Sequence, residues 1–236
     1  MLHQLRQQVE TDGACSLPGC SFDFHFFMPI LQRAVIRGHV ALQSAQFVAT
    51  GLRYGFRCGV DVAKMRGRRI FRNYPTAMEG ASKVSEAILK RVAAGKSLCL
   101  GQFDASMKHH IPYSAFAIFP MGAVRKKLED ALRPVDDHTR TLLNFYTTLE
   151  GLRFKLETHK EVAMLFCRLF HMSVKDVSDA FPLVPLHPDL WPFMLFQWFD
   201  VNLELKGQRI WSLYVHLFAG FGMAGLPGVW KILFNA

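Results

Sequence analysis

Carboxylates are in short supply in this chain: 28 Lys and Arg face only 19 Asp and Glu, a formal charge of +9. That imbalance argues against a cationic partner and favours a polyanion, either nucleic acid or an acidic membrane surface. Cysteines are few, odd in number and scattered, at Cys15, Cys20, Cys58, Cys99 and Cys167, which excludes a disulfide scaffold. Cys15 and Cys20 form a C-x4-C pair with His25 nearby, but no second Cys or His pair follows at finger spacing, so free thiols are the reading. The opening "MLHQLRQQVETDG" lacks the apolar core of a signal peptide, and with reduced thiols this predicts an intracellular protein, cytoplasmic or nuclear. There is no internal repeat and no low-complexity tract. What is plentiful is apolar surface: half of the 236 residues are hydrophobic, enough for one large domain or two small ones with a real core.

The run from Ile210 to Trp230 holds only His216 as a titratable group and is long enough to raise the question of a membrane span. Its composition answers against one. Gly220, Gly222, Gly225, Pro227 and Gly228 crowd the second half, while "RIWSLYVHLF" is β-branched and aromatic, which suits a buried strand feeding a glycine-rich loop.

Along the chain, residues 1–41 carry no strong periodicity and read as a poorly ordered lead-in. From Leu42, short apolar pieces alternate with glycines and with Arg66, Arg68, Arg69 and Arg72, an irregular basic approach whose arginines suit phosphates or a solvated face equally. "ASKVSEAILKRVAAGK" places Val84, Ile88 and Val92 at helical spacing and Gly95 where a cap belongs. "FAIFPMGAV", a charged turn and "LRPVDD" predict a basic hairpin. "LEGLRFKLETHKEVAMLFCRLF" reads as a helix with Val162, Leu165, Phe166 and Leu169 on its apolar side. "MSVKDV" follows as a strand, and "FMLFQWFDVNLELKGQRIWSLYVHLF" as two strands joined around Lys206 and Gly207.

The stretch "VKDVSDAFPLVPLHP", Val174 to Pro188, sets two aspartates before three prolines. Pro182 and Pro185 would break a helix, so a strand ending near Val177 is expected; on it Asp176 and Asp179 point to opposite faces and at most one is a primary metal ligand. Taken alone, the pair reads rather as a solvated Asp176 and a turn begun by Asp179.

In order, "GAVRKKLEDALRPVDDHTR", "VKDVSDAFPLVPLHP" and "GFGMAGLPGVWKILF" resemble the blocks of a retroelement reverse transcriptase. The upstream "RNYPTAMEGASKVSEAILKRVAAGK" and the D-D-H-T-x-T-x-x-N form of the first block are most similar to the DIRS-type branch. The resemblance spans Leu42 to the end. It implies an α+β fold with fingers over 42–150, and over 151–236 the first part of a palm built on an antiparallel sheet. It implies template-directed DNA synthesis on an RNA or DNA template-primer, using deoxynucleotide triphosphates and two magnesium ions, which take hard carboxylate ligands. Carried over residue by residue, Asp176 bridges the ions and the Val177 carbonyl holds one of them. Asp179 lies nearer the sugar and triphosphate, and Phe181 is the ring beneath the sugar that selects deoxynucleotides. Lys126 and Arg133 grip the triphosphate, with Arg125 and Lys127 as substitutes if the register slips. Gly222 and Gly225 let backbone approach the nascent base pair. Taken alone, Phe181 would read as core and Lys126 with Arg133 as a solvated hairpin. Asp136 and Asp137 are structural in this block, and Pro185 to Pro188 form the turn leaving the site. Ala219, Gly220 and Phe221 replace the usual Leu-Pro-x before Gly222, so contacts at the nucleotide's edge depart from the pattern.

The family's aromatic-x-Asp-Asp hairpin does not occur before Ala236. The expectation is a fragment that does not polymerise alone, with an open palm edge that a partner covers. The alternatives are a nucleic-acid-binding remnant without chemistry and, less favoured, a membrane-associated protein.

Overall fold

The structure, a computed structural model, describes residues 1–125, 132–152, 181–205 and 208–235. Lys126, Lys127, Asp176, Val177 and Asp179 lie outside the described residues, as do the helix expected around Val162 to Leu169 and the strand ending near Val177.

Three helices open the chain, α1 (Leu2–Asp12), α2 (Phe24–Ile36) and α3 (Leu42–Tyr54). The expected lead-in and the first part of the expected irregular approach are therefore helical. The start of α2 was legible in its cap: the Asp23 carboxylate accepts from the backbone N–H of His25 and Phe26, at 2.9 and 3.1 Å. What the sequence pattern obscured is how sparsely these helices bury residues, Val9 in α1 and Leu31 in α2. Those two nevertheless join Val48, Leu52, Phe193, Val215 and Leu226 in one core that runs from the first helix to the last.

A five-stranded sheet follows the order β1 (Arg68–Ile70), β3 (Phe116–Ile118), β6 (Leu195–Leu205), β7 (Gln208–His216), β2 (Ser97–Gln102). The pairs β1–β3 and β3–β6 are parallel, while β6–β7 and β7–β2 are antiparallel. The sheet is thus mixed, where an antiparallel one was expected, and its strands come from both sides of residue 150. Along β7 the side chains alternate: Leu213 and Val215 enter the main core, whereas Tyr214 packs with Phe196, Trp198 and Phe199 of β6 in a second core on the opposite face. The start of the central strand β6, Leu195 to Phe199, is buried on both faces, which is why it reads as a nearly continuous apolar run. The edges of this sheet among the described residues are the short, arginine-bearing β1 and the strand β2, whose register against β7 shifts between Cys99 and Gly101.

The second core is roofed by α4 (Pro75–Glu79) and α5 (Ala81–Ala93). In α5, Val84 and Ile88 are buried as their spacing predicts, and Gly95 just beyond it adopts φ 67°. Beside them β4 (Met121–Arg125) and β5 (Leu132–Asp136) pair antiparallel from Met121↔Asp136 to Arg125↔Leu132, the expected hairpin. After β7 a loop leads to α6 (Leu226–Asn235). Ile210–Trp230 is thus strand, loop and helix start, and no helix among the described residues is long and apolar enough to cross a membrane.

Candidate functional site

Three segments far apart in sequence meet at one place. Strand β5 presents Arg133, the start of the segment after residue 180 presents Phe181, and the loop after β7 presents Phe221. The Arg133 guanidinium lies over the Phe221 ring, 5.1 Å from its centroid, and Phe181 meets the same ring edge-on with centroids 5.3 Å apart. Arg133 is exposed and both rings are half-buried. A guanidinium stacked on an aromatic keeps its in-plane donors free for an anion. The arrangement can therefore receive a flat or sugar-bearing group against the rings and an oxyanion against the arginine.

The loop carrying Phe221 is set by the residues around the hairpin's end. A Cβ on Gly222, at φ 102°, would stand 2.3 Å from the Asp136 carbonyl oxygen, and one on Gly220 would stand 2.5 Å from the Asp136 carboxylate. Gly225 sits as tightly against the Cys58 carbonyl, where a Cβ would come to 1.9 Å. The close approach that Gly222 and Gly225 allow is thus to the protein's own backbone, and that of Gly220 is to the Asp136 carboxylate. Asn144 completes the clamp: its amide nitrogen donates to the Gly222 carbonyl at 2.7 Å and to Thr139 Oγ1 at 3.1 Å, and its Oδ1 accepts from Ala224 N–H at 2.9 Å.

The D-D-H-T-x-T-x-x-N run is accordingly a bracket. Asp137 accepts from the Tyr74 hydroxyl at 2.6 Å and from the N–H groups of Thr139 and Arg140 at 3.0 Å. Burial works to raise its pKa, yet these hydrogen bonds hold it below the usual carboxylate range. Asp136 is buried with His216 Nε2 at 3.4 Å and Arg91 Nη1 at 3.8 Å. Burial again pulls its pKa upward, but these cationic and donor groups win and leave it at about 2. His138 is wholly buried, lies edge-on to Phe119 at 4.8 Å, and its pKa is pushed down to about 4 by burial. His216 is also lowered by burial, so it is neutral near pH 7. With Nε2–H turned toward Asp136, its Nδ1 accepts from the Ser97 hydroxyl at 2.7 Å. Asp136, His216 and Ser97 are the residue types of a nucleophilic triad, but each is only 2% exposed and no substrate reaches them.

A second feature is an open cleft of about 600 Å³ between the 72–78 segment and the β6–β7 pair, walled by Arg72, Asn73, Gln102, Gln197, Arg209 and Trp211. Arg209 stacks on Phe199 at 4.6 Å, and Arg140 lies over Phe71 at 5.6 Å. Of the basic approach, Arg69 donates to the Thr141 carbonyl at 3.2 Å and Arg68 stacks on Phe116 at 5.8 Å, so these two brace the fold.

Of the predicted site residues, the structure brings Arg133, Phe181 and Gly222 together, with Gly225 behind them on Cys58. Asn144 and Phe221 were missed as site residues, although both stand inside the quoted blocks; their polar and aromatic character among small neighbours was the available signal. No family model matches the chain, and no curated protein matches it.

Proposed function

We propose that the chain is the fingers and the first part of the palm of a retroelement reverse transcriptase, of the DIRS-like branch, and that Arg133, Phe181 and Phe221 line its deoxynucleotide triphosphate site. The observation that carries this reading is the meeting of Arg133, Phe181 and Phe221, one from each block of the resemblance. Blocks matched only by chance have no reason to converge.

In this reading Arg133 and Lys126 hold the triphosphate, and Phe181 lies under the sugar where a 2′-hydroxyl would collide with it. Asp176 and the Val177 carbonyl hold magnesium, which supplies charge neutralisation for nucleotidyl transfer. Asp179 orients the sugar end of the nucleotide. No donor set for the ion occurs among the described residues. Asp136 and Asp137 do not fit one, since the first is buried against His216 and Arg91 and the second is occupied by Tyr74 and two N–H groups. The template-primer lies along the cleft bearing Arg72 and Arg209.

Binding of a deoxynucleoside triphosphate to the chain in magnesium, with a template-primer duplex present, tests the reading. Arg133→Ala should weaken it about ten- to a hundredfold, the worth of a charge-assisted pair of hydrogen bonds. Unchanged binding would remove the arginine from the site and the reading with it. The cleft supports a second reading, nucleic-acid binding without chemistry: there, strongly salt-dependent duplex or single-strand binding persists while no triphosphate binds.

A further inference from the structure

Helix α2 is apolar on both sides of its axis. At about 100° per residue, Phe24, Phe27, Met28, Leu31 and Val35 share the side turned to the main core, where Leu31 is buried and the others pack against the cluster. Phe26, Pro29, Ile30, Arg33, Ile36 and Arg37 fall on the other side, and all six are exposed. Phe26 is 70% exposed and Ile36 83%, and Leu42 at the start of α3 is 62% exposed. These side chains project from the surface rather than line a groove. Exposed apolar side chains clustered in this way mark a surface that meets something.

The charges on this face are of one sign. No Asp or Glu occurs from Phe24 to Val60, and the carboxylate just before that stretch, Asp23, is taken up in capping α2. Arg33 and Arg37 stand within the apolar stripe. Arg33 Nε donates to the Pro29 carbonyl at 3.3 Å, which lays its stem back along the helix. Lys231 of α6 adds an exposed cation at the end of the face, in a hollow of about 280 Å³ shared with Ser44 and with His39 and Ala41 from the turn between Ile36 and Leu42.

This combination selects the partner. A second copy of the chain fits poorly, since a two-fold contact would set Arg33 and Arg37 against their own counterparts with no carboxylate on the face to offset them. Nucleic acid would satisfy the arginines, but Ile30, Ile36 and Leu42 offer no ring on which a base could stack. An anionic bilayer surface takes both kinds of group: apolar side chains enter the acyl boundary while the cations stay at the level of the phosphates.

We propose that α2 is a membrane-surface helix that docks the chain on anionic phospholipid, with Phe26, Ile30, Ile36 and Leu42 in the acyl boundary and Arg33, Arg37 and Lys231 on the headgroup phosphates. The helix has 13 residues and lies in the plane of the headgroups without crossing the bilayer. Arg133, Phe181 and Phe221 stand on other elements, so this attachment is independent of the nucleotide reading.

Flotation of the whole chain with lipid vesicles tests this. The chain should rise with vesicles of phosphatidylcholine and phosphatidylserine and stay behind with phosphatidylcholine alone. The double variant Phe26→Gln, Ile36→Gln keeps every charge and, both side chains being exposed, should keep the unmutated Tm; its affinity for the phosphatidylserine vesicles should nevertheless fall at least about tenfold. Arg33→Gln with Arg37→Gln should lower that affinity about thirtyfold, at about fivefold for each cation. Unchanged binding by the Phe26, Ile36 variant would reduce the attraction to the overall charge of +9 and overturn the proposal. Absence of binding to the phosphatidylserine vesicles would overturn it too, and an oligomer or an oligonucleotide complex broken by the same two substitutions would then name the true occupant of the face.

Discussion

Phe221 touches both Arg133 and Phe181, with the guanidinium over its ring at 5.1 Å from the centroid and the second ring 5.3 Å away edge-on. Phe221 therefore sets where Phe181 stands. If Phe181 excludes a 2′-hydroxyl, its precision depends on that neighbour, because a ring free to tilt by an ångström admits the extra oxygen. Phe181→Ala should abolish the preference for deoxy- over ribonucleoside triphosphate. Phe221→Ala should reduce it about tenfold, a loss of about 1.4 kcal/mol in discrimination. Paired affinities for the two nucleotides decide the point; a Phe221 variant that keeps full discrimination would leave the ring as packing only.

Asp136, His138 and His216 are buried together beside the half-buried Arg91, and the pH response of this group has a definite sign. His138 and His216 have pKa values depressed in the fold, the former from 6.5 to about 4, so the unfolded chain binds more protons once the pH drops below 6.5. Stability is thus full above 6.5 and declines as pH falls toward 4. Asp136, lowered from 3.8 to about 2, adds a further loss below 3.8. At about 1.4 kcal/mol per unit, His138 alone accounts for about 3 kcal/mol. Urea midpoints measured from pH 7.5 to 4 should trace this decline, and His138→Leu should flatten it. An equal slope in that variant would place the titrating group elsewhere.

The elements read most easily from the sequence were those with one dominant pattern: α5 by its Val84–Ile88 spacing, the β4–β5 hairpin by its basic turn, and β6–β7 by apolar runs around Lys206 and Gly207. Helices α1 to α3 escaped because each buries only part of a face and α2 contains Pro29, so periodicity is weak where tertiary contacts do the fixing. The parallel pairing of β3 with β1 and β6 was illegible for a different reason: strands of three residues are specified by what they pack on, here through Ile118 against Leu195. In the site, Arg133 and Phe181 could be proposed from block order, yet the clamp by Asn144 needed the fold. Nothing local tells that its amide reaches a loop some eighty positions away.

A polar contact lies inside the second core. Trp198 Nε1–H donates to Ser85 Oγ at 2.7 Å, joining β6 to α5 in a region that also holds Phe119, Phe196 and Phe199. Ser85→Ala leaves the indole N–H buried without that acceptor, at a cost of about 1–3 kcal/mol. Ser85→Thr retains the hydroxyl and should recover part of the loss in a denaturation series. Equal destabilisation by both would point to crowding against α5 as the cause, and no loss in either would show that the indole finds another acceptor.

Gly225 and Gly228 fix how the start of α6 meets the rest of the chain. A Cβ on Gly225 would stand 1.9 Å from the Cys58 carbonyl oxygen, and one on Gly228 would stand 2.0 Å from that of Leu152. Both obstacles are backbone, which cannot rotate aside as a side chain can, so the helix itself must move. Gly225→Ala should therefore cost about 3 kcal/mol, in the upper range for overpacking, and lower Tm by about 6–12 °C in a chain of this size. Gly122→Ala is the matched control, because its Cβ would meet only Thr76 Oγ1 and Tyr74 Cδ2 at 3.5 Å, ordinary contact distance. Its Tm should stay within about 2 °C, in keeping with a surface-like substitution. If both variants melt alike, the approach of α6 to Cys58 is looser than this geometry requires, and the loop from Phe221 to Gly225 would not be held rigidly enough to position Phe221.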